Sequence, residues 1–133
     1  MEQLSEDWGK VMIELNEPQE WALAVVGTVM IIDVVSGLAK AFAKKCYDSA
    51  KMRVGLVHKF TELVIVALSF VLELACEHIA GLPFSGVTVV LTCTYIIIME
   101  VGSIMENLIA AYPELANTPL AKLFTEHKED QHD

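Results

Sequence analysis

The sequence predicts an all-α integral membrane protein with three transmembrane helices and a short amphipathic N-terminal helix. Three observations carry that expectation. Hydrophobic residues make up 54% of the 133 residues, and the mean hydropathy of +0.48 is high for a soluble protein. The excess is concentrated in Trp21 to Ala39, Leu63 to Ala80 and Leu82 to Met99, each 18 or 19 residues long. At 1.5 Å per residue such a segment reaches about 27–28 Å, against ~30 Å for the hydrocarbon core of a bilayer. Finally, the basic residues are clustered: six of the nine Lys and Arg residues lie in the connector between the first two apolar segments.

The chain divides into an acidic segment over 1–20, a membrane domain over 21–107 and a polar tail over 108–133. Its spans are expected over about 21–39, 60–80 and 84–107, with a basic connector over 40–59. A soluble bundle whose helices are apolar all round is the rival. Three adjacent segments of span length leave so short a chain little polar exterior, which disfavours it.

The first twenty residues hold six acids and Lys10 alone, unlike the basic start and early apolar core of a signal peptide. Within them Ser5 to Leu15 form a weak amphipathic helix, capped by Ser5, with Leu4, Trp8, Val11, Met12 and Leu15 sharing a face. That helix is expected on the outer membrane surface. Trp8 and Trp21 suit an interface or packing against protein. Pro18 separates it from span one.

The connector carries Lys40, Lys44, Lys45, Lys51, Arg53 and Lys59, with Asp48 the one acid among them. Such a segment resists translocation and is attracted to anionic lipid heads. It therefore stays cytoplasmic, which puts the N-terminus outside and the C-terminus inside. Its place between two spans argues against nucleic acid as a partner. With no Pro and only Gly55, much of it is expected to be helical along the inner leaflet, and span two rises from Phe60. Gly81-Leu-Pro-Phe-Ser-Gly86 has turn residues at both ends and predicts an antiparallel hairpin of spans two and three. After Asn107, Leu108 to Tyr112 meet Pro113. The last eight residues, from Glu126, are expected to be a disordered, solvated end.

Polar residues recur inside the spans at helical spacing. Asp33, Ser36, Gly37 and Lys40 share a face of span one. Span two repeats the pattern with Glu62, Ser69, Glu73, Cys76 and Glu77, and span three with Cys93, Glu100, Ser103 and Asn107, Glu106 lying to one side. A carboxylate at the middle of an isolated span costs about 2.5–3.5 kcal/mol, so each stripe must face protein or water. Two uses stay open. The stripes either hold the three helices of one subunit together, or they face neighbouring subunits and water.

Catalytic readings lack their companions: Glu73 and Glu77 come with no phosphate loop, no GxSxG elbow and no HExxH pattern. His58, His78, His127 and His132 are scattered, so neither a metal nor a cofactor is expected. Cys46, Cys76 and Cys93 form no CxxC pair and read as small buried side chains.

Span one ends in DVVSGLAKAF, and SAKMRVGLVHK follows with Ser49, Lys51, Arg53, Gly55 and Lys59. This order resembles the toxin-secretion and phage-lysis holin family, whose members carry an aspartate, a Ser or Thr-Gly pair and then S-x5-G-x3-K. The end of span three, MEVGSIMENLIAAYP, is similar to the family's E-x2-S-I-x-E-N-L pattern. The resemblance covers about Met30 to Phe124. Glu73 stands where the family often has an aspartate, and the tail is acidic where the family's is basic.

The resemblance implies a phage-encoded protein of the host inner membrane that accumulates harmlessly and then assembles into lesions, releasing an endolysin or a toxin. It has no enzymatic activity, and its partners are further copies of itself, anionic bilayer lipid and, indirectly, the released cargo. The face that would line the pore or the oligomer contact is expected to comprise Asp33, Ser36, Gly37, Glu73, Glu77, Glu100, Ser103, Glu106 and Asn107. The connector motif comprises Lys40, Ser49, Arg53, Gly55 and Lys59. A membrane scaffold that never opens and an antiholin that delays a partner are the alternatives.

Overall fold

The computed structural model describes residues 15–129, with side chains as far as residue 124. The amphipathic helix expected over Ser5 to Leu15 lies, but for Leu15, outside the described residues.

Helix α1 spans Glu17–Ala43. A capping box starts it: Gln19 N donates to Asn16 Oδ1 at 3.0 Å, and Asn16 N donates to Gln19 Oε1 at 3.2 Å. Pro18 sits in the first turn, where its missing N–H costs nothing. At the other end Cys46 N donates to Ala41 O and Lys45 N to Phe42 O. This paired closure puts Lys45 at φ +50°, a position usually held by glycine.

Helix α2, Ser49–His78, starts after Asp48, whose carboxylate accepts from Ala50 N and Lys51 N. The single acid of the basic run is thus a helix cap. The connector is helical as expected, but not as a separate surface element. Its first residues finish α1, its last begin α2, and residues 44–48 make the break. Helix α2 therefore begins at Ser49, eleven residues ahead of Phe60, because nothing in that sequence interrupts it.

After α2 the chain turns through Gly81 at φ +88°, a conformation that disfavours any side chain. Helix α3, Val89–Ala111, is capped by Thr88, whose hydroxyl accepts from Leu91 N at 3.1 Å. It runs past Asn107, the expected end of the third span. The tail is folded rather than disordered up to residue 129: a 3₁₀ turn over Pro113–Asn117 leads into α4, Pro119–Glu129. Residues 130–133 of the expected disordered end lie outside the description.

The three long helices run up, down and up. Val26 and Met30 of α1 pack with Val66 of α2 and with Val89, Cys93 and Ile96 of α3. Further along α1, Asp33 and Ser36 meet Asn107 of α3. So α1 and α3 are parallel and α2 returns between their opposite ends. α3 is the hub: α1 packs along it, α2 packs on it more sparsely, and α1 and α2 lean on α3 rather than on each other.

The polarity of the bundle is inverted relative to a soluble protein. Asp33, Ser36, Glu62, Ser69 and Glu100 are buried, while Ile31, Val35, Phe60, Leu63, Leu68, Leu91, Tyr95 and Ile98 are exposed. Among the described residues two helices, α1 and α3, are long and apolar enough to cross a membrane. The sequence led to an expectation of three. The exception is α2, which carries Lys59, Glu62, Glu73 and Glu77 along its length.

Candidate functional site

The buried polar groups converge on one level of the bundle. Asp33 lies ten residues before the end of α1, and Lys59 ten residues after the start of α2, so both stand about 15 Å from the break that joins them. Lys59 Nζ donates to Asp33 Oδ2 at 2.8 Å and to Glu100 Oε2 of α3. One ammonium thus ties all three helices.

Asn107 completes the cluster. Its Nδ2 donates to Asp33 Oδ1 at 3.1 Å and to Ser36 Oγ at 3.2 Å, and Ser36 Oγ donates onward to the backbone oxygen of Asp33 at 2.9 Å. Gly37 lies beside it, where a Cβ would stand at ordinary contact distance, 3.7 Å, from Asn107 Nδ2. Directly below, Glu62 is buried beside Glu100. Its Oε1 lies 3.3 Å from His58 Nδ1, while its Oε2 has no hydrogen-bond partner. Three carboxylates therefore face one ammonium, with a histidine at the rim. A bonded cluster of this kind satisfies charges that would be costly alone in an apolar medium.

Of the residues expected on the polar stripe, Asp33, Ser36, Gly37, Glu100 and Asn107 come together here. Ser103 is half-buried on the same helix, and Glu106 is exposed. Glu73 stands apart from the cluster. Its Oε2 accepts from Val89 N at 2.7 Å and so caps the start of α3, where the helix dipole favours a negative charge. Glu77 is exposed one turn further on.

The connector motif divides likewise. Lys40 is half-buried and Ser49 opens α2, while Arg53 and Gly55 lie exposed on it. Lys59 turns inward. Counted by sequence with the basic connector, it continues the α2 stripe of Glu62, Val66, Ser69 and Glu73 at alternating spacings of three and four. That register was the available signal.

The arrangement holds three helices together through groups that water or another polar surface could equally satisfy. The pattern of exposed apolar flanks and a buried ionic centre is that of a membrane protein. No curated protein and no solved structure matches the chain. A family model for bacteriophage holins does match, over residues 14–115, from just ahead of the α1 cap to the 3₁₀ turn after α3. With the expected motifs inside that stretch and the ionic cluster built from them, the chain belongs to the bacteriophage holin family.

Proposed function

We propose that the chain oligomerises in the host cytoplasmic membrane and forms the lesion through which an endolysin or toxin leaves the cell. The observation that carries this reading is the ionic cluster of Asp33, Lys59, Glu100 and Asn107 inside a bundle whose outside is apolar. Groups that bond to each other within one subunit have the same chemistry as groups that bond to a neighbour or to water. Repacking the three helices would therefore exchange partners rather than strand charges.

The topology supports three crossings. α1 and α3 are parallel, so if both span, α2 must carry the chain back across, and its 30 residues reach about 45 Å. Its acids then face the protein interior or the α3 cap. Five basic residues, Lys40, Lys44, Lys45, Lys51 and Arg53, lie near the α1–α2 break, which supports a cytoplasmic break and an outward N-terminus.

One observation favours the alternative of a non-opening scaffold or antiholin: the cluster of Asp33, Lys59 and Asn107 closes within a single chain. Expression in a bacterium with a co-expressed cytoplasmic cell-wall hydrolase separates them. A pore former halts growth abruptly after a delay and releases the hydrolase, with a reporter at residue 1 outside and one at Ser49 inside. Undisturbed growth with the hydrolase retained, or a cytoplasmic residue 1, overturns the reading.

A further inference from the structure

Where α1 and α2 lean on α3 rather than on each other, a groove of about 560 Å³ opens beside the break that joins them. Its floor is the ionic cluster, with Asp33, Lys59 and Asn107 on the lining. Its walls include Val34, Leu38 and Leu56, and its mouth carries Lys40, Lys44 and Lys51. Asp48 also lines the groove, its carboxylate already accepting from two backbone N–H groups at the start of α2.

We propose that this groove binds one anionic phospholipid, its headgroup on Lys40, Lys44 and Lys51 and an acyl chain along the apolar wall. The inference rests on the membrane reading above and adds a discrete site to it. Charge and shape select this occupant. Inorganic phosphate would pair the lysines but leave Val34 and Leu56 bare, and both are exposed. A zwitterionic lipid would cover the wall but leave the excess positive charge uncompensated. An anionic lipid answers both, as basic pockets between spans on the cytoplasmic side do.

Gly55 fits this role. It lines the groove, and a Cβ built on it meets no atom within 4 Å. The open space beside it is where the chain of the lipid would lie. Gly55→Leu would fill that space with no neighbouring protein atom at the point of entry, and leucine is the better helix former.

The experiment uses the full chain purified in detergent, with phosphatidylglycerol, phosphatidylcholine or inorganic phosphate added and retained adducts counted by native mass spectrometry. Phosphatidylglycerol is expected to be retained at least tenfold over phosphatidylcholine. Lys44→Gln and Lys51→Gln should each weaken retention about fivefold. Gly55→Leu should abolish it with helicity unchanged. Arg53→Gln, on the same helix but off the groove lining, should leave it intact.

Equal retention of the two lipids, an Arg53→Gln effect as large as that of Lys51→Gln, or full retention by Gly55→Leu overturns the site. Binding of inorganic phosphate alone, or loss of the lipid as the chain self-associates, assigns the groove to another occupant and overturns it too. Alkaline extraction of cell membranes tests the underlying reading separately. A chain that stays in the membrane without the lipid preference sinks this inference alone, whereas one released into the soluble fraction sinks both.

Discussion

Lys59→Met removes the ammonium that joins the three helices and keeps most of the side-chain volume. Its two carboxylate partners are nearly sequestered, with Asp33 13% and Glu100 4% exposed at the side chain. Removing one partner of such a buried pair costs about 3–5 kcal/mol, because the other charge is left uncompensated. The loss is unequal between the two. Asp33 keeps its bond from Asn107, whereas Lys59 is the one donor described for Glu100. Asp33→Asn should cost less, about 1–3 kcal/mol: Lys59 still holds Glu100, but the amide has one oxygen for the two donors Asn107 and Lys59. The variant Lys59→Met/Asp33→Asn/Glu100→Gln, in which neither carboxylate bonded to the ammonium is left charged and Glu62 keeps His58 beside it, should recover to within about 2 kcal/mol of the natural chain. The assay is unfolding of the purified chain in mixed micelles against a rising fraction of denaturing detergent, read by helicity. If Lys59→Met unfolds at the same point as the natural chain, or the triple variant is no more stable than Lys59→Met, the cluster does not hold the bundle together.

The same assay checks two local features. Glu73→Gln keeps an acceptor for Val89 N and should lose about 0.3–1 kcal/mol, Glu73→Leu should lose about 1–2 kcal/mol with the cap gone, and exposed Glu77→Gln should change little. Equal midpoints for all three would deny Glu73 its capping role. Lys45→Gly relieves a left-handed backbone at φ +50° and should raise stability by about 1 kcal/mol; an unchanged or lowered midpoint would show that no strain resides there.

The register of the polar stripes was legible before any coordinates. Asp33, Ser36 and Gly37 on one helix and Glu100 and Asn107 on another repeat at three and four residues, and that spacing alone puts each set on one face. What the spacing does not carry is which face meets which. Glu73 caps α3 because the antiparallel return brings Val89, sixteen residues on, against it. Lys59 was counted with the basic connector because composition blurs the boundary between a charged loop and the first turns of the next helix. Its inward direction depends on α2 starting at Ser49, which Asp48 determines by capping. The folding of the tail up to residue 129 was missed for a similar reason. Thr118 caps α4, with Ala121 N donating to its hydroxyl at 3.4 Å, and Ala121 is buried. A polar composition does not reveal so small a contact.

The hub position of α3 has a consequence for the order of synthesis. α1 and α2 leave the ribosome first, and each needs α3 to pack against. Until α3 arrives, Asp33 and Lys59 can neutralise each other across an otherwise loose pair of helices, while Ser36 still lacks Asn107 and the Val26–Met30 surface lacks Val89, Cys93 and Ile96. The last of the three long helices to be made is thus the one that locks the first two. A nascent chain stalled before Val89 should remain a labile hairpin, open to proteolysis and to capture of an α3 from another copy of the chain.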